Sequence, residues 1–264
     1  MLRLVVLDLR DIVRVALVAL AAAVVCAGTA CADTWHANDL TTYSQGDWGG
    51  DRNVQAGAAL LFGKYDTVYA STFGVMSVGS TSVTMTFTDA ASVLAYLPSA
   101  GTPGPLSGSV MDPITTASGV FGGEVLALQL NVDFSDAGFL PANSGLRFGD
   151  LVLTGFSASS PLAPLDGLTV RQLLGDVNTL LGGGSSIVSI SDLGTLVDGA
   201  PALAELNGSF FYGQPSQFAQ DHLVAPAAVE TATAPLPGGV APFAVLLCIA
   251  WVLNRRGRRH VEFA

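Results

Sequence analysis

Hydrophobic positions fall into two long runs at the ends of the chain and a patterned middle. Val15–Ala27 and Val240–Leu253 are nearly unbroken apolar stretches. Between them, periodicity predicts separate elements. Leu61, Tyr65, Val68 and Tyr69 have helical spacing and predict a helix over Ala58–Ala70. Val75–Val78 and Ser82–Thr88 read as extended, with Val83, Met85 and Phe87 alternating against Thr84 and Thr86. The Gly79-Ser80-Thr81 link then predicts a hairpin. Asp89–Leu97 predicts a short helix that Thr88 can cap and Pro98 stops. Residues 98–118 form a long Pro/Gly/Ser/Thr loop, either packed on the surface or mobile.

Glu124–Phe134 fits two templates. Leu126, Leu128, Leu130, Val132 and Phe134 alternate as in a strand, while Phe121, Val125, Leu128 and Val132 share a helix face. Gly149–Phe156 reads as extended, and Pro161–Gly167 as a turn. Thr169 and Gln172 make a capping box before the stripe Val170, Leu173, Leu174, Val177, Leu180 and Leu181, and Gly182 stops that helix. Gly175 within it costs about 1 kcal/mol relative to alanine, so this helix needs tertiary packing. A helical stretch is predicted from Ser191 through Val197, broken at Gly199-Ala200-Pro201 and resuming to Asn207. Residues 211–234 read as a flexible tether. The fold class expected is α+β: a helix-rich single domain over residues 33–210 with a small β-hairpin.

The ends carry topology. Arg3, Arg10 and Arg14 precede the first run, and Ala30-Cys31-Ala32 follows it with the small-x-small pattern of signal cleavage at Ala30 and Ala32. Residues 1–32 are therefore expected to be a secretory signal peptide, with a mature chain starting at Asp33. At the other end Pro235-Leu236-Pro237 leads into the second run, and Arg255, Arg256, Arg258 and Arg259 close it. The 14 residues of Val240–Leu253 give about 21 Å of helix. They need Leu236–Gly239 to approach a hydrocarbon core of about 30 Å. A C-terminal transmembrane helix over 235–259 is expected, with the arginines on the cytoplasmic side, 260–264 as a cytoplasmic tail and the body facing outward. A plain permanent anchor is the alternative.

Charge narrows the partners. Residues 33–230 hold 18 acidic against 4 basic side chains, a net of −14. Such a body repels nucleic acid, so no nucleic-acid partner is expected. The three cysteines, Cys26, Cys31 and Cys248, all lie in the apolar ends, which removes disulfides, thiol nucleophiles and Cys-based metal sites from the body. The body's histidines, His36 and His222, lie near its opposite ends, and no Gly-x-Ser-x-Gly elbow occurs. Gly182–Ser186 follows a helix and lacks a lysine, so it is no phosphate loop. No catalytic residue is assigned, the protein is not expected to be an enzyme, and no cofactor is required.

Two weaker constellations point to binding. Tyr43 and Trp48, flanked by glycines, are candidates for stacking on a sugar face. Asn131, Asp133 and Asp136 loosely resemble a calcium loop, although its sixth position is Asp136 instead of glycine and its twelfth is Ala142 instead of glutamate.

The C-terminal stretch resembles the PEP-CTERM class of sorting signals in a Pro-Leu-Pro variant, with Leu236 where the commonest form has glutamate. That resemblance implies export across the inner membrane of a Gram-negative bacterium. It also implies transient anchoring there, cleavage by an exosortase-like membrane protease, and delivery to the cell surface or exopolysaccharide matrix. Residues 41–223 resemble a recurrent bacterial extracellular module of unknown function. The shared segments are Tyr43–Gly49, Leu97–Pro103, Leu126–Val132 and Leu168–Leu174. The third is helical in relatives, which implies a helix for Glu124–Phe134. The function expected is that of an exported, non-enzymatic surface or matrix protein of biofilm or envelope. The alternatives are a polysaccharide- or calcium-binding surface module and, third, a secreted hydrolase.

Overall fold

A computed structural model describes residues 34–227 except Thr81; the expected signal peptide, Pro-Leu-Pro motif, apolar tail and arginine cluster lie outside the described residues. In chain order the body contains helix α1 (Gln45–Trp48), helix α2 (Ala56–Val68), strands β1 (Met76–Gly79) and β2 (Thr84–Phe87), and helix α3 (Ala90–Tyr96). Strand β3 (Val110–Met111), helix α4 (Gly119–Asp136), strand β4 (Val152–Leu153) and helix α5 (Val170–Leu181) follow. The last elements are helix α6 (Ile190–Leu193), strands β5 (Leu196–Val197) and β6 (Ala200–Pro201), helix α7 (Ala202–Asn207), helix α8 (Gln217–His222) and strand β7 (Leu223–Val224). The fold is mixed helix and small sheets, as the α+β expectation requires.

Helix α4 is the hub. Val125, Leu126, Ala127, Leu128, Leu130, Val132 and Phe134 are all buried, so apolar residues surround it. A helix packed on every side loses the one-faced pattern of an amphipathic helix, which is why its periodicity was ambiguous. It packs against α1, α5, α7 and β1. Strands β1 and β2 pair antiparallel, with Met76 opposite Phe87 and Gly79 opposite Thr84. Met85 and Phe87 face the core, as the alternation predicts, and Met76 and Val78 join them from β1. Helix α5 has the predicted capping box, with Thr169 accepting from the Gln172 amide while the Gln172 side chain accepts from the Thr169 amide.

Four expectations are corrected. Helix α3 is capped by Asp89, whose carboxylate accepts from the Ser92 amide at 2.7 Å; Thr88 instead bonds Asp112. Of the two readings of residues 98–118, the packed loop is the one the structure shows. Leu106 is buried, its amide donates to the Leu181 carbonyl at 2.8 Å, and β3 adds to β2 in parallel. Within 149–156 only Val152–Leu153 is strand, after a turn of 3₁₀ helix. Ser191–Val197 is not one helix. Helix α6 ends at Leu193 and β5 pairs with β6 around Asp198-Gly199, both with positive φ.

The folded body does not stop at residue 210, because α8 buries Phe218 and Ala219, and β7 pairs with β4. The Trp35 indole donates to the Leu223 carbonyl at 2.8 Å and stacks edge-on with Phe210, tying the two ends of the body together. Among the described residues no helix is long and apolar enough to cross a membrane.

Candidate functional site

Two polar clusters sit on helix α4, and each takes in residues the sequence had singled out. The first is a buried clasp. Asn131 Oδ1 accepts from the Tyr43 amide at 2.9 Å and the Trp48 indole N–H at 3.2 Å. Its Nδ2 donates to the Tyr43 carbonyl at 2.9 Å and to Asn207 Oδ1 at 3.1 Å. Asn207 Nδ2 in turn donates to the Glu124 carbonyl and, at 2.8 Å, to its carboxylate. Gln45 donates to the other Glu124 oxygen at 2.7 Å and accepts from the Ser99 amide. Glu124 and Asn131 are seven residues apart, two helical turns on one face, so a single chain of amides spans both. Gly123 leaves room for this, since a Cβ there would strike the Gln45 side chain. Burial raises the Glu124 pKa, and the two amide donors work against that shift.

Tyr43 and Trp48 are therefore not a sugar platform. Trp48 is 0% exposed and Tyr43 7%, and their rings meet edge-on at 5.3 Å, with Trp48 also against Phe134. Neither offers an open face. Asn131 is no calcium ligand either, because all four hydrogen-bonding positions of its side chain are taken within the protein. Tyr43, Ser99 and Asn131 converge here from three separate segments, and what they build is structural. Beside Glu124 an apolar recess of about 80 Å³ opens between Phe121, Leu193 and Leu203.

The second cluster lies at the C-terminal end of α4. Asp133 accepts from the Tyr69 hydroxyl and from Gln129, both at 2.9 Å. Asn178 braces Gln129 at 3.4 Å and also accepts from the Gly79 amide at 2.7 Å. Burial raises the Asp133 pKa. Burial, followed by the charge of Asp133, pushes Tyr69 well above its ordinary value. Asp136 is gripped by Arg171 at 2.7 and 2.9 Å, and Arg171 also reaches Asp150 at 3.1 Å. Two open clefts of about 410 and 380 Å³ flank the Tyr69–Asp133 contact and share Tyr69, Thr72 and Asp133 as walls.

The calcium-loop expectation fails on backbone grounds. Asn131, Asp133 and Asp136 belong to a continuous helix, and a calcium loop needs irregular backbone to turn its ligands inward. Asp133 and Asp136 are turned to Tyr69, Gln129 and Arg171. Among the described residues no three His, Cys, Asp or Glu side chains gather in a metal-binding group.

His222 stacks flat on Phe156 at 4.4 Å, with Nδ1 3.0 Å from the Thr154 carbonyl, while Asp221 turns to Gln217. His36 pairs with Asp39 at 3.7 Å. Neither ring's hydrogen bonds reach a Ser or Thr hydroxyl. Sequence reasoning missed Gln45, Glu124, Asn207, Tyr69 and Gln129. The available signal was a polar side chain recurring inside an otherwise apolar helix, at Glu124, Gln129, Asn131 and Asp133. Comparison with known proteins finds no matching family model, no matching curated protein and no matching solved structure.

Proposed function

We propose that this is an exported, non-enzymatic protein of the bacterial cell surface or exopolysaccharide matrix. A signal peptide over residues 1–32 and a PEP-CTERM-like tail over residues 235–259 deliver it. The observation that carries this is the order of the tail: Pro235-Leu236-Pro237, the apolar Val240–Leu253, then Arg255, Arg256, Arg258 and Arg259. A turn motif, a short greasy span and a basic stop make a segment that engages the inner membrane and presents its outer end to a membrane protease of the exosortase kind. Support also comes from the body, whose last paired strand ends at Val224, so residues 225–234 separate it from the motif. The non-enzymatic part rests on the sequence, which has no cysteine in the body and no nucleophile elbow.

Intact mass of the protein recovered from a Gram-negative host that makes exopolysaccharide tests this. The expected mature species starts at Asp33 and ends near Pro237. A species that retains Arg255–Arg259 at the cell envelope overturns sorting and makes the tail a permanent anchor.

A further inference from the structure

We infer that the two clefts beside Tyr69 and Asp133, together with exposed Phe73, the residue after the cleft residue Thr72, form a binding site for a neutral polysaccharide. Phe73 is the residue on this face that packing within the fold does not explain. Its side chain is 98% exposed, and its backbone sits in the left-handed region at φ 58° and ψ 33°. That conformation costs a residue with a Cβ about 1–2 kcal/mol, and glycine or asparagine would adopt it more cheaply. An aromatic ring there strains the turn, exposes apolar surface and packs against nothing among the described residues. The left-handed backbone is held in place: Gly74 follows at φ 77°, its amide donates to the Tyr69 carbonyl, and Thr72 Oγ1 donates to the Val75 carbonyl at 2.6 Å. A strained, solvent-facing aromatic on a braced turn points to a partner outside the fold.

The neighbours of Phe73 define that partner. Thr72, just before it, lines both clefts, and Val75, two residues on, lines one. The cleft walls otherwise carry the hydrogen-bonding groups that hydroxyl-rich ligands need: the Asp133 carboxylate, the Gln129 amide, and the hydroxyls of Ser71 and Ser77. Each Asp133 oxygen accepts one hydrogen bond within the protein, which leaves acceptor capacity on both. Gln129 and Asn178 hold this wall in place before any ligand arrives, so little ordering is needed on binding. An aromatic face presents partial negative charge, which suits the C–H face of a pyranose, and the polar walls suit its hydroxyls.

Two clefts sharing one wall favour consecutive units of a chain over an isolated sugar. The acidic walls and the body's net charge of −14 select a neutral polymer over a uronate. The choice of polysaccharide, among ligands that are both apolar and hydroxylated, rests on the proposed matrix role.

Full-length protein in a detergent without a sugar headgroup is titrated with cellohexaose, laminarihexaose and dextran, and with oligo-alginate as the acidic probe. At least one neutral glucan binds, and alginate binds more weakly. Phe73→Ala weakens glucan binding by about tenfold or more while leaving the melting temperature unchanged or higher, because the lost ring is almost fully exposed. Ser71→Trp, which fills one cleft from an exposed position, weakens binding too. The inference is overturned if no neutral glucan binds, if alginate binds best, or if Phe73→Ala binds as well as the parent. Phe73-dependent binding to phosphatidylcholine vesicles in place of glucan also overturns it. None of these results depends on where the C-terminus is cut, so the site and the sorting proposal can fail separately.

Discussion

Asn131 satisfies every hydrogen-bonding position it has. Two acceptor sites take the Tyr43 amide and the Trp48 indole, and two donors serve the Tyr43 carbonyl and Asn207. Truncation to alanine would strand several buried groups at once, and each unsatisfied buried partner costs about 1–3 kcal/mol. Asn131→Ala is therefore expected to destabilise the body by about 3 kcal/mol or more, read as a lowered urea midpoint with unchanged slope. Asn131→Asp keeps the two acceptors but turns oxygen toward the Tyr43 carbonyl and Asn207 Oδ1. It should also destabilise, and a midpoint equal to the parent's would show that the clasp contributes nothing. The same residue shows why this site was hard to see. An asparagine near aspartates is a plausible ion ligand in a loop and a plausible clamp in a buried helix. Only the neighbours brought in by folding, Tyr43 and Asn207, decide between them.

Among the elements, those whose signals are local were legible. The capping box of α5 involves residues three apart, and its apolar stripe faces one way, so both limits of that helix follow from sequence. Thr169→Ala should cost about 1 kcal/mol, measured as a drop in the urea midpoint. The β5–β6 hairpin was also written locally, in Asp198-Gly199, the dipeptide of a tight two-residue turn. It was hidden because Leu193, Leu196 and Val197 recur at helical spacing and only four residues of helix form. Gly199 has φ 113°, so Gly199→Ala forces a Cβ into strained backbone and should lower stability by about 1 kcal/mol or more, whereas a replacement at exposed Leu196 should not. Helix α8 and strand β7 were read as tether because their composition is polar. Their anchors, Phe218 and Leu223, find partners in Phe156 and β4, far away in sequence. Long-range pairing of that kind leaves no local pattern.

At the scale of the molecule, the buried carboxylates set the direction of pH dependence. Glu124 and Asp133 both have pKa values raised by burial above 4.5 and 3.8, so the folded body holds those protons more tightly than the unfolded chain. Stability from this source is complete below the unfolded values and is lost as pH rises through the raised folded ones. Each group contributes a slope of at most about 1.4 kcal/mol per pH unit over its window. Asp112 and Asp192 have the opposite sign. Hydrogen bonds from Thr88 and Ser189 lower their pKa values, so their contribution is present above 3.8 and fades only as pH falls through the lowered values. The two windows lie on opposite sides of the ordinary carboxylate range. Self-repulsion within a body of net charge −14 also grows as the carboxylates ionise. Maximum stability is therefore expected near the ordinary carboxylate range, with urea midpoints that decline as pH rises above it. Glu124→Gln and Asp133→Asn should each flatten that decline, whatever they do to the midpoint itself, because a neutral amide cannot titrate. A midpoint that rises from pH 5 to pH 7 in the parent, or a decline left unchanged in both variants, would remove buried carboxylates as the cause.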